Sequence, residues 1–149
     1  MKFIKNYGGR ENYFSTQFKK DNTNDCVIRA ISIATEQDYK KVWNELFELA
    51  CKTGFMPNDK KCFDTYLESL GWTKKSPLKY GNKKYKVKNV GQFFKGKNVI
   101  IHTTNHLTTL VDGDLNDIWD CREWCANSYY VKEKVEITGG LGYKTTKKI

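Results

Sequence analysis

Asn24-Asp25-Cys26-Val27-Ile28-Arg29-Ala30-Ile31-Ser32-Ile33-Ala34 passes from a polar loop into an apolar run, and its period decides how the chain begins to fold. Val27, Ile28, Ile31 and Ala34 recur at helical spacing, one face of a short buried helix. Asn24 or Asp25 is a good N-cap for it. The spacing predicts a helix from Cys26 to Thr35, with Cys26 in its first turn. Unpaired N–H groups and the helix dipole favour a thiolate there. Most cysteines in such a run merely pack. A nucleophilic reading therefore needs a base and an orienter elsewhere in the chain.

Working outward, residues 1 to about 20 read as an irregular arm with a short strand. After Thr35 the pattern restarts at Gln37-Asp38-Tyr39. Tyr39, Val42, Trp43, Leu46, Phe47, Leu49 and Ala50 form one apolar face, which Gly54 stops. A third helix is expected from about Lys61 to Leu70, ended by Gly71. Trp72 to Lys88 is basic, and Lys83-Lys84-Tyr85-Lys86-Val87-Lys88 alternates as a strand with a wet lysine face. Val90 to Phe94 is expected to form one short helix.

Beyond Gly96 the period changes to that of strands. Asn98 to Thr103 reads as a buried strand and His106 to Val111 as its alternating neighbour. Asp112-Gly113 is a hairpin signal, with a return from Leu115 to Asp120. Ser128 to Ile137 is a further strand, and about 139–149 a loose tail. Helices first and an antiparallel sheet afterwards predict one α+β domain spanning 1–149.

Two histidines are available as a base. His102 lies inside an apolar strand and reads as a spacer. His106 opens a strand beside the loop Thr103-Thr104-Asn105, a rim position suited to chemistry. A three-residue hairpin loop, Asp112 to Asp114, would set His106 opposite Asp120. A two-residue loop slips the register by one and puts Asp117 on the face of His106 instead. Asp120 is the favoured orienter and Asp117 the alternative.

A cysteine opening a helix near the N-terminus, further helices, a histidine-bearing strand and a hairpin to an aspartate together resemble the layout of papain-like cysteine peptidases. The likeness is to the compact bacterial and phage branch near the C39-type bacteriocin-processing domains. It rests on Asn24-Asp25-Cys26-Val27-Ile28-Arg29-Ala30, on the helical run from Tyr39 to Leu46, and on His106-Leu107-Thr108-Thr109-Leu110-Val111-Asp112-Gly113 continuing to Trp119-Asp120. It covers about Asp21 to Asp120. The resemblance implies Cys26 as nucleophile, His106 as general base and acid, and Asp120 as orienter of an acyl transfer through a thioester. It also implies a peptide, isopeptide or other amide substrate and no cofactor. The family usually keeps an oxyanion-binding Gln six residues before the cysteine. Lys20 stands there, so Asn24 is the first substitute, with Asn22 and Gln17 behind it.

Other features point elsewhere. Cys121 and Cys125 have metal-like spacing but lack the second pair of a four-ligand zinc site. Cys51 and Cys62 are expected in the core. Trp43, Trp72, Trp119 and Trp124 read first as core, and Trp119 and Trp124, next to Asp120, are alternatively the walls of a cleft. Five cysteines without a disulfide framework fit a reducing compartment. No stretch is long and apolar enough for a membrane span. The start, Met1 to Gly9, lacks a signal-like apolar core, which predicts a cytoplasmic protein, in the host cell if phage-encoded. The net charge of +9, with lysines and aromatics interleaved from Tyr80 to Lys88, leaves three partners open. These are an acidic peptide or protein substrate, a captured host factor on a catalytically weak version of the fold, and nucleic acid.

Overall fold

The structure, a computed structural model, describes residues 1–17, 23–138 and 143–147, with backbone alone for 134–138 and 143–147. In chain order the elements are β1 (Phe3–Lys5), α1 (Cys26–Thr35), α2 (Tyr39–Thr53), α3 (Lys60–Ser69), β2 (Trp72–Lys75), β3 (Lys79–Tyr80), β4 (Lys83–Lys84) and α4 (Val87–Val90). There follow β5 (Asn98–Thr103), β6 (His106–Val111), β7 (Asp114–Asp117), β8 (Ser128–Lys132), β9 (Lys134–Thr138) and β10 (Tyr143–Lys147). The class is α+β, and α1 to α3 precede most of the sheet.

Six strands form the main sheet in the order β1-β7-β6-β5-β8-β2. It is mixed rather than antiparallel. β1 runs parallel to β7, pairing Phe3 with Leu115 and Lys5 with Asp117. The β6–β7 hairpin leaves the outer edge of β7 open, and the first residues of the chain cover it. Helices α1 to α3 pack on one face through Val27, Ile31, Val42, Leu46, Phe63 and Leu67 against Ile100, Leu107 and Tyr130. A second core on the other face joins Val87, Val90 and Phe94 to Val99, Ile101, Leu110 and Leu115.

Local chemistry fixes the helix ends. Asp38 and Asp59 cap α2 and α3 by accepting from the N–H groups of Lys41 and Lys61, at 3.2 and 2.8 Å. Gly54 closes α2 in the left-handed conformation. Helix α1 is tied to the sheet by polar side chains: the Thr109 hydroxyl donates to the Ala30 carbonyl at 2.6 Å, and Asn98 Nδ2 donates to that of Ala34 at 3.1 Å. Gly8 lets the arm lie directly on α1. It has φ +67°, and a Cβ there would meet the Arg29 carbonyl oxygen at 2.9 Å.

Several elements differ from expectation. The return strand stops at Asp117 instead of reaching Asp120, because the Asp117 carboxylate takes the N–H groups of Ile118 and Trp119, at 2.7 and 3.3 Å. A side chain that captures the next main-chain donors turns the chain out of the ladder. The expected strand from Ser128 to Ile137 is two, β8 and β9, parted at Glu133, whose N–H turns to the Gly71 carbonyl at 3.3 Å. In the expected loose tail, residues 143–147 form β10 and pair with β9; Gly139 and Gly140 lie outside the described residues. Of the lysine run only Lys83 and Lys84 are strand, and the next helix starts earlier than expected, at Val87. Cys62 is buried, but Cys51, expected in the core, is exposed.

Candidate active site

Asp25 occupies the N-cap position of α1, yet its side chain makes no cap bond. Its carboxylate turns inward instead, to Thr23, Tyr39, Arg10 and Arg29. Asn24, with φ 54°, bends the chain so that Cys26 opens the helix. Cys26 is half-buried. It lines a cleft of about 600 Å³ together with Asn24, His102, Asn105, His106 and Trp119. The cleft lies where the start of α1 meets the loop between β5 and β6.

His106 opens β6 beside that loop and is buried. Its Nε2 lies 2.6 Å from Asp117 Oδ2. The hairpin explains why the partner is Asp117. Val111 pairs with Asp114, so the loop is Asp112-Gly113, and both residues have positive φ, 50° and 82°. This is the two-residue primed turn, whose twist suits a hairpin. Asp117 thereby shares the face of His106. Asp120, the favoured orienter of the sequence reading, lies beyond the strand end. It is exposed and forms an ion pair with Arg122 at 2.7 Å. The one-residue difference in loop length moves the carboxylate beside His106 from Asp120 to Asp117.

The imidazole is boxed in. Trp119 stacks on it with centroids 5.0 Å apart and 23° between planes, and Trp124 meets it edge-on at 5.8 Å. With Nε2 committed to Asp117, Nδ1 is the nitrogen left for the thiol. It is buried and makes no conventional hydrogen bond of its own. Burial pushes the Cys26 thiol up. Interaction with His106, the Leu107 backbone N–H and the Arg29 charge outweighs this and holds the thiol below its ordinary value. Burial likewise pushes His106 down, but Asp117, Cys121 and Cys26 raise it well above an ordinary imidazole. Asp117 is held below the carboxylate range, its burial outweighed by His106 and Arg29. A helix N-terminus is worth about 0.3–1 kcal/mol, less than one pKa unit. The dipole alone leaves most of the thiol protonated at pH 7, so the imidazolium has to supply the larger share.

Arg29 ties these groups together and was missed in the sequence reading. Its guanidinium spans Asp25, at 2.7 Å, and Asp117, at 2.8 Å, and it is buried. Arg10 closes the far end on Asp25 at 3.1 Å. Signs then alternate from Arg10 through Asp25, Arg29, Asp117 and His106 to Cys26, and the chain is neutral when the last two are imidazolium and thiolate. The available signal was an arginine inside an apolar helical run, four residues after an aspartate. Such a charge is rarely buried unless paired.

The other candidates separate cleanly. Asn24 is exposed on the cleft wall, and its carbonyl accepts from Asn58 Nδ2 at 3.2 Å. Gln17 is exposed and away from the cleft lining; Lys20 and Asn22 lie outside the described residues. His102, read as a spacer, lines the cleft. Cys121 is buried beside His106 whereas Cys125 is exposed. The ligand-type atoms of His106, Asp117 and Cys121 lie within 4.8 Å of one another. In this arrangement the Asp117 oxygens already serve the imidazole, the Arg29 guanidinium and the main chain, which leaves them little capacity for a cation. Trp119 lines the cleft, and Trp124 covers the outer edge of His106.

No protein-family model matches the chain, and neither a curated protein nor a solved structure does so.

Proposed function

We propose that this chain is a thiol hydrolase of papain-like organisation that cleaves a peptide, isopeptide or other amide bond. One observation carries the reading: Cys26 and His106 line the same open cleft, and Asp117 Oδ2 lies 2.6 Å from the far nitrogen of the ring, an arrangement that favours thiolate and imidazolium. A nucleophile, a base and an orienter in that order are what acyl transfer requires.

The steps follow from the atoms. The Cys26 thiolate attacks the carbonyl carbon, and the negative charge moves to its oxygen. N–H groups in the first turn of α1, which have no acceptor within the helix, are the candidate main-chain donors to that oxygen. The Asn24 amide, on the same wall, is the candidate side-chain donor. His106 passes its Nδ1 proton to the leaving nitrogen as the C–N bond breaks, which leaves a thioester on Cys26. Neutral Nδ1 then takes a proton from water, whose oxygen attacks the thioester. The acid product leaves, and thiolate and imidazolium are restored. Asp117 keeps Nε2–H in place throughout and stabilises the charged ring.

The test is covalent trapping. Intact-mass and peptide analysis after brief treatment with iodoacetamide at pH 6.5 is expected to find the label on Cys26 ahead of exposed Cys51 and Cys125, with His106→Ala abolishing the preference. Equal labelling of Cys26, Cys51 and Cys125 would sink the proposal.

A further inference from the structure

The cleft that Cys26 lines carries charges that the reaction does not use. Asn58, Asp59, Lys60 and Lys61, at the start of α3, line it together with Phe63 and His102. Asp59 is the one carboxylate among the lining residues, and it is committed to capping α3. Lys60 and Lys61 are exposed, and no carboxylate lies within ion-pair distance of either among the described residues. Lys61 Nζ instead rests 4.7 Å over the Phe55 ring. The buried Arg29 adds no free charge, because Asp25 and Asp117 balance it. The wall therefore presents two ammonium groups without an ion-pair partner among the described residues, against the single carboxylate of Asp59, beside half-buried His102.

We propose that the cleft selects a peptide carrying a carboxylate side chain close to the scissile bond, seated between Lys60, Lys61 and His102. The proposal rests on the reading of this cleft as the substrate site. Its basis is charge complementarity: cations without an ion-pair partner in a cleft attract the opposite charge and reject their own. The state of His102 agrees. Burial lowers its pKa to about 4, helped by Lys60 and Lys74 and opposed by Asp64. A positive field of that kind is what an incoming carboxylate relieves. The basic segment from Tyr80 to Lys88, the earlier candidate for this role, is not part of the cleft lining, and its Lys86 and Lys88 pair with Glu123.

The test reads binding without turnover. Cys26→Ala protein is titrated with blocked alanine tetrapeptides carrying one Glu, Gln or Lys at each position in turn. The His102 ring protons are followed by NMR, and only two imidazoles are present. At least one Glu peptide is expected to bind about three- to tenfold more tightly than its Gln counterpart at low salt, the range for one or two solvent-accessible ion pairs. It should raise the His102 pKa and lose its advantage at about 0.5 M salt or in a Lys60→Ser, Lys61→Ser chain. Equal binding of Glu and Gln peptides, no binding by any peptide, or a His102 response only to oligothymidylate would each overturn the proposal. Because Cys26 is absent from this assay, those outcomes leave the thiol-hydrolase reading standing. Failure of Cys26 to label preferentially would sink that reading and not this result.

Discussion

His106 and Asp117 face each other at 2.6 Å, and the same carboxylate takes Arg29 at 2.8 Å on its other oxygen. One aspartate thus orients the imidazole and balances a buried guanidinium. Replacing it with Asn takes the counter-charge away from both partners. Asp117→Asn is expected to lower the rate of Cys26 acylation by about 10²-fold or more, the scale of general acid–base assistance. Asp120→Asn should change it less than twofold, since Asp120 is exposed and pairs with Arg122 on the surface. Single-turnover rates for both variants decide the matter, with circular dichroism as a check on folding.

Arg29 is expected to matter for stability before chemistry. Truncation to Met takes the guanidinium away from two buried carboxylates and leaves Arg10 alone to balance Asp25 and His106 alone to balance Asp117. Breaking a buried ion pair in this way costs about 3–5 kcal/mol, which urea denaturation will read as a shift in midpoint. Arg29→Lys keeps the charge but cannot span two carboxylates. It should fall between, and its Cys26 labelling at pH 6.5 should recover part of what Arg29→Met loses.

Alkylation of Cys26 should have a flatter pH profile than that of the surface thiols. An ordinary thiol titrates near 8.5, and its rate grows about tenfold per unit below that. The Cys26 thiol lies lower, so its thiolate persists further into acid. Rates at Cys26 and Cys51 measured from pH 5 to 9 are expected to converge at the alkaline end and diverge toward acid. Parallel profiles would remove the case for an ion pair.

Stability should carry the same signature. His106 is raised, so its contribution is complete below about pH 6.5 and fades as pH climbs toward its folded value. Cys26 is lowered, so its contribution is complete above about 8.5 and fades as pH falls. Between those limits the two slopes oppose each other, since one group loses and the other gains stabilisation as pH rises. Wild-type urea midpoints should vary less with pH there than those of Cys26→Ala, in which the His106 contribution stands alone and is lost as pH rises. Below about 6.5 His102 adds an acid loss down to about 4, since unfolding lets it take up a proton that the fold refuses. His102→Gln should shallow that limb.

The parts of the fold set by local rules could be read from residues. Helix α1 runs from Cys26 to Thr35, and β5 and β6 have the bounds that period and turn residues suggested. Asp112-Gly113-Asp114 was ambiguous because its residues suit a loop of two or three. The ladder decided for two, and with it for Asp117. Arg29 stayed hidden because its partners lie 4 and 88 positions away, and only the nearer was within view of a helical pattern. The lysines of the cleft wall were unremarkable for the same reason. Nothing local says that the start of α3 lines the same cleft as Cys26.

The parallel pairing of β1 with β7 has a consequence for the order of events during synthesis. Asn6 N–H holds the Asp117 carbonyl at 3.0 Å, and Lys2 N–H holds Asp114 across a separation of 112 residues. Contacts that distant close late and slow the search for the native state. The helices bearing Cys26 leave the ribosome first, while the strand that keeps Asp117 in register waits for the opening residues to return and dock. A nascent chain would therefore carry its thiol for most of its translation without the partners that sharpen it, and reactivity would arrive only with the closing of the sheet's edge.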